Sequence, residues 1–167
     1  MAEIIRVFKE EFPPFRLIGK RYTDADRGPD GGFGHKWQEW FEKGYFGPLE
    51  GIKDALPFGG GYVGWMRYAG EWEYWIGAFF PEGTPVPEGY QYADIPAAEV
   101  GFCWLYDEPE GELYGEEVHN MCLEAIQKAG WEIADEPWFV ELYNCPRFTT
   151  PDEKGKIILD YGVCLKG

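Results

Sequence analysis

A glutamate stands where a strand would ordinarily carry an apolar residue. The run WFVELY, Trp138 to Tyr143, has the aromatic and β-branched content of a strand, yet Glu141 sits between Val140 and Leu142. Period-two alternation puts Phe139, Glu141 and Tyr143 on one face and Trp138, Val140 and Leu142 on the other. A carboxylate flanked by two rings must be solvated, paired with a cation of the protein, or used on a ligand. Arg67 and Arg147, on neighbouring segments, are the internal partners on offer. Left unpaired among rings, the carboxylate would have its pKa raised by desolvation. A lipophilic cation would relieve that cost, with cation–π attraction from the rings. The apolar set suits a helix-covered core, and the Phe139 row suits a cleft on the opposite face.

The sequence shows no other catalytic constellation. Cys103, Cys122, Cys145 and Cys164 form no C-x-x-C pair, and neither His35 nor His119 has a partner at metal-ligand spacing. There is no nucleophile elbow, phosphate loop or dinucleotide fingerprint, so no cofactor and no metal is expected. A formal net charge of −15 argues against direct nucleic-acid binding and against anionic membrane surfaces. The opening MAEIIRVFKEEFPPF lacks the apolar stretch of a secretion signal, and no run approaches membrane-spanning length. The expectation is a cytoplasmic protein with reduced thiols. Aromatic residues make up 19 % of the chain, more rings than a core needs, which points to a ring-lined concave pocket.

The elements that must position Glu141 follow from punctuation and period. Residues 3–10 and 15–22 read as extended, broken at Pro13-Pro14. In HKWQEWFEKGYF, Trp37, Trp40, Phe41 and Tyr45 recur at helical spacing and predict helix-to-sheet packing. GPLEGIKDALP predicts a second short helical turn stopped at Pro57, with Gly59-Gly60-Gly61 as the connection. YVGWMRY and WEYWIGAFF, joined by Ala69-Gly70-Glu71, predict a hairpin. PEGTPVPEGY reads as the linker to a second half. There, residues 90–95 and 98–106 are extended, residues 112–129 form an amphipathic helix ended by Gly130, and 138–144 and 157–165 are strands. FPPFRLIGKRY in the first half echoes IPAAEVGFCWLY in the second. The whole is one domain, residues 1–167, with pseudo-repeats 1–82 and 88–167. The expected fold class is α+β: a duplicated strand-helix-strand-strand unit with pseudo-twofold symmetry. Its strands make an antiparallel sheet with helices on one face and a ligand cleft on the other.

Three stretches carry a family resemblance: PEGYQYADIPAAEVGFCWLY, GWEIADEPWFVELYN and CPRFTTPDEKGKIILDYGVCLK. They resemble the GyrI-like small-molecule-binding domain, also found as the effector-binding domain of multidrug-responsive and AraC-type transcription regulators. The match covers the second half well and the first half loosely, through FPPFRLIGKRYT and YWIGAFF. The resemblance implies the pseudo-twofold fold in a stand-alone form. It carries the glutamate of the family's fE-x-Y strand, at the floor of the drug pocket, onto Glu141. Tyr143, Trp65, Tyr68 and Trp104 are the companion candidates, since rings with a polar tip tolerate a half-wet site, and Phe139 joins them as the other ring flanking Glu141 on its strand face.

The expected function is binding of a hydrophobic or cationic small molecule, for sensing or sequestration. The alternative, implied by the same resemblance, is a hydrolase opening cyclopropane rings of alkylating natural products, with Glu141 positioning or deprotonating water and Tyr143 or Tyr68 donating to the leaving oxygen. Inhibition of a protein target such as DNA gyrase is suggested by the family's name alone.

Overall fold

In the computed structural model, residues 1–52, 61–68, 70–144 and 146–166 are described. The predicted Pro57 stop, Gly59, Gly60, Ala69 and Cys145 lie outside them. Eight strands form one antiparallel sheet: β1 (Glu3–Phe12), β2 (Phe15–Thr23), β3 (Tyr62–Tyr68), β4 (Trp72–Pro81), β5 (Gln91–Ile95), β6 (Ala98–Asp107), β7 (Phe139–Tyr143) and β8 (Ile157–Cys164). The helices are α1 (Gly34–Lys43), the short α2 (Gly47–Glu50) and α3 (Glu116–Lys128). No helix among the described residues is long and apolar enough to cross a membrane.

The order across the sheet is β1-β6-β8-β7-β3-β4-β2-β5. Exchanging β1 with β5, β2 with β6, β3 with β7 and β4 with β8 reads the same order backwards, so the sheet has an approximate two-fold axis between β3 and β7. Superposing the crossover Phe12–Phe15 on Ile95–Ala98 and carrying the pairings across sends Ile76 to Tyr161 and Gly64 to Glu141. Gly64 and Glu141 are also cross-strand partners, so the axis runs through this one pair.

Both crossovers demand curvature. β1 and β2 stand six strand spacings apart, as do β5 and β6, yet Pro13-Pro14 and Pro96-Ala97 alone connect them. A flat sheet would need about 29 Å, and two intervening residues span about 10 Å. The sheet therefore curls until its ends approach. Its concave face buries a core drawn from all eight strands and from no helix: Phe12, Phe15, Leu17, Val63, Trp65, Trp75, Phe79, Ile95, Val100, Phe102, Val140, Leu142 and Cys164.

The other face carries the helices. Trp40 of α1 is wholly buried against Ile18, Met66, Ile76 and Phe80, and its Nε1 donates to the Tyr22 hydroxyl at 2.9 Å. Val118, Cys122 and Ile126 of α3 pack on Cys103, Leu105, Leu159 and Val163. The α3 helix begins at Glu116, later than the sequence pattern suggests. Asp107 accepts the N–H groups of Glu108 and Glu112 at 2.8 Å each and holds the preceding segment as a loop. Gly115, at φ 111°, then makes the turn into the helix.

Candidate functional site

The Phe139–Glu141–Tyr143 row lies on the helix-bearing face, not opposite it. Tyr161 is the partner of Glu141 in β8, and Tyr161 packs with α3. Phe139 packs against both helix-side clusters, so the row occupies the seam between α1 and α3. Val140 and Leu142 instead enter the helix-free concave core. Alternation sorts the two sets correctly but their assignment is reversed, because a curled sheet makes its bare face as apolar as its covered one.

On the axis, one half supplies a carboxylate and the other supplies space. A Cβ on Gly64 would lie 3.0 Å from the Tyr74 hydroxyl and 3.4 Å from Glu141 Oε1, so the missing side chain lets these two groups converge. Trp37 Nε1 of α1 donates to the Tyr74 hydroxyl at 2.8 Å. Tyr74 lies beside Tyr143, whose hydroxyl bonds the Glu141 carboxylate.

Rings make the walls. Phe33 stacks on Tyr74 with centroids 4.4 Å apart, and Trp37 meets Tyr143 edge-on at 4.9 Å. His119 of α3 meets Phe139 at 4.6 Å and bonds the Tyr161 hydroxyl through Nδ1. Phe148 closes on Tyr143 at 4.8 Å. Its neighbour Arg147 anchors that loop on the other side of the sheet, donating to the buried Asp160 at 2.7 and 2.6 Å. Tyr114, on the loop before α3, is half exposed.

Glu141 remains half-buried, so water reaches it, yet its surroundings are dense enough that burial pushes its pKa up to about 7. The Tyr143 hydroxyl holds it back from rising further. Burial and the Glu141 charge raise the pKa values of Tyr74, Tyr114, Tyr143 and Tyr161. Burial lowers that of His119, which favours the neutral ring. This is the electrostatics of a carboxylate set among aromatic rings.

Of the residues singled out from sequence, Glu141, Tyr143 and Phe139 come together here. Trp65 and Trp104 do not. Trp65 pairs with Val140 and is 0 % exposed in the concave core. Trp104 shares that face, held between the Arg6 and Arg147 guanidiniums at 4.8 and 5.0 Å. Tyr68 is on the right face but 61 % exposed, two residues past the last β3–β7 pair. Arg67 pairs with Glu73 at 3.5 Å and Arg147 with Asp160. Among the described residues no cation pairs with Glu141. Sequence reasoning misses Gly64, Tyr74, Tyr161 and His119, and assigns Trp37 to packing. The one available signal is Gly64, a glycine inside a strand otherwise rich in bulky residues.

The sequence matches no family model and no curated protein. Solved structures do match. A structure of SAV2435 bound to tetraphenylphosphonium aligns with TM-score 0.71 at 15 % identity, over 98 % of this chain and 95 % of that one. A Staphylococcus aureus MU50 protein named for bacterial transcription regulation gives 0.67 at 16 %, over 97 % and 99 %. The EcmrR C-terminal domain gives 0.59 at 8 %, over 96 % and 97 %. The α+β fold around a large antiparallel sheet is shared with these structures, and this chain has the GyrI-like fold.

Proposed function

We propose that the pit between α1 and α3 binds a hydrophobic cation, with Glu141 as counter-charge and Trp37, Phe139, Tyr74, Tyr143 and Tyr161 as the apolar and π-rich enclosure. The observation carrying this reading is a water-accessible carboxylate, its pKa raised to about 7, with no cation of the described chain beside it. Such a group is destabilised until a positive charge arrives, and flat rings accept many shapes. The tetraphenylphosphonium of the SAV2435 structure is a molecule of this kind. The role is capture or sensing of a small molecule in the cytoplasm. The net charge of −15 supports a partner that is a small cation and not a nucleic acid.

Titration with tetraphenylphosphonium, read by tryptophan quenching, tests this. Trp37 lies in the wall, so saturable quenching is expected, weakened about tenfold or more in Glu141→Gln. Absence of saturable binding, or binding indifferent to the substitution, would remove the proposal. A second reading, hydrolysis of a strained electrophile, is favoured by one feature: a carboxyl near pKa 7 that is hydrogen-bonded to a phenol can act as acid or base. Product analysis with a cyclopropane-bearing alkylator separates the two.

A further inference from the structure

His119 brings a second kind of polar group to the same walls. It stands on α3 with its ring edge-on to Phe139, centroids 4.6 Å apart, and its Nδ1 is bonded to the Tyr161 hydroxyl. Phe139 is two residues from Glu141 on β7, and Tyr161 is the partner of Glu141 on β8. The imidazole therefore touches two immediate neighbours of the carboxylate. A phenol O–H is a stronger acid than the N–H of a neutral imidazole, so the hydrogen of this pair belongs to Tyr161 and Nδ1 accepts it. Burial lowers the pKa of His119 and so favours the neutral ring. A neutral imidazole bonded in this way carries its one hydrogen on Nε2.

That hydrogen is uncommitted. The two ring nitrogens point in nearly opposite directions, so with Nδ1 turned to Tyr161 on the sheet, Nε2 is turned away from it. It bonds to no described residue. Nor is it sealed: among the described residues, the side-chain nitrogens buried without a hydrogen bond are Trp65 Nε1, Arg67 Nε and Trp104 Nε1, and His119 is half-buried. The other ring N–H of the walls, Trp37 Nε1, is spent on Tyr74. An open donor and a negative charge thus stand about two strand residues apart, roughly 7 Å. Resting on the cation-binding reading above, we propose that His119 is a specificity-determining residue whose Nε2–H donates to an acceptor on the ligand. The molecule captured is then a cation whose aromatic body carries a carbonyl or ether oxygen about one phenyl ring away from the positive charge. Glu141 selects for the charge and His119 for that oxygen. A purely hydrocarbon cation satisfies the first and leaves the second without a partner.

The test is a matched pair of permanent cations, 4-benzoylbenzyl-trimethylammonium and 4-benzylbenzyl-trimethylammonium, which differ only in a carbonyl against a methylene. At about pH 8 Glu141 is ionised and His119 neutral. Calorimetric titration of the wild-type protein is expected to give about three- to tenfold tighter binding for the ketone. In His119→Phe, which keeps a ring beside Phe139, the ratio of the two affinities should fall to near one, with melting curves confirming that the variant is folded. In Glu141→Gln both probes should weaken and the ratio should persist. Equal wild-type affinities, or a ketone preference undiminished in His119→Phe, would overturn the inference while leaving cation binding intact. A readout that needs no variant is the imidazole nitrogen spectrum of the free protein, which has two histidines to assign. His119 is expected as the Nε2–H tautomer, and the Nδ1–H tautomer would overturn the inference too. Failure of both probes and of tetraphenylphosphonium to bind would instead strike the cation-binding reading itself, and this inference with it.

Discussion

Replacing Glu141 by glutamine is expected to stabilise the free protein at alkaline pH. The carboxyl has an ordinary pKa of 4.5 and a folded-state value of about 7. At 1.36 kcal/mol per unit the difference is about 3 kcal/mol. The folded form binds the proton more tightly than the unfolded form. Stability is therefore complete below the unfolded value, falls as pH climbs between the two, and reaches its full loss above the folded one. Glutamine has no charge to lose, and its carbonyl still accepts from Tyr143. The Glu141→Gln variant should gain about 2–3 kcal/mol over wild type near pH 8, and almost nothing near pH 4. For a chain of this length that is a rise in Tm of roughly 5–10 °C. Urea denaturation at both pH values, with unchanged slope, measures it directly. A variant no more stable than wild type near pH 8, or equally stabilised near pH 4, would show that the carboxylate is already satisfied, and the argument for an open cation site would fail.

Four further outcomes follow from the same geometry. Gly64→Ala should cost about 1 kcal/mol and weaken tetraphenylphosphonium binding about tenfold, as Tyr74 and Glu141 are pushed from the new Cβ; melts and quenching titrations read the two effects. Trp37→Phe keeps a ring but removes the donor to Tyr74, for an expected loss of about 1–2 kcal/mol in urea. Arg147→Met strands Asp160, which is 3 % exposed, and should destabilise by about 3 kcal/mol, read in the same urea titration. Trp104→Ala should leave cation affinity within about twofold of wild type, because its ring lies on the far face of the sheet; a large loss in titration would contradict that placement.

The strands are legible in the sequence because most carry their own punctuation: Pro13-Pro14, Pro96 and the linker's Pro85 and Pro87 fall between elements, and Pro81 closes β4. The row Phe139, Glu141, Tyr143 is legible too, since alternation is a local rule. The direction in which that row faces is not. Facing depends on which strands pair and how far the sheet curls, and Val140 and Leu142 would suit a covered face as well as a curled one. Tyr74 and Gly64 reach Glu141 only through the β3–β7 and β3–β4 registers, which join residues far apart in sequence. Trp65 and Trp104 stand out as amphipathic rings, yet each is one position out of step with the site. Trp37 reads as packing, and it does pack, but its N–H also has a partner that sequence could not supply.

The two short crossovers have a bearing on how a single pit could serve many shapes. β3 and β7 are the innermost strands, bonded on both sides, and the sheet around them is clasped at its ends by Pro13-Pro14 and Pro96-Ala97. A sheet held this way resists splaying, so Gly64 and Glu141 keep their separation whatever lies above them. The walls are of another kind: α1 and α3 rest on the sheet through side chains, while the Phe148 loop is tied to β8 by one backbone bond, from the Ile158 N–H to the Arg147 carbonyl. Compliance is thus confined to the sides of the pit and stiffness to its floor. In the proposed binding role, the negative charge would be a fixed point against which differently shaped ligands are registered, while the rings shift to meet their outlines.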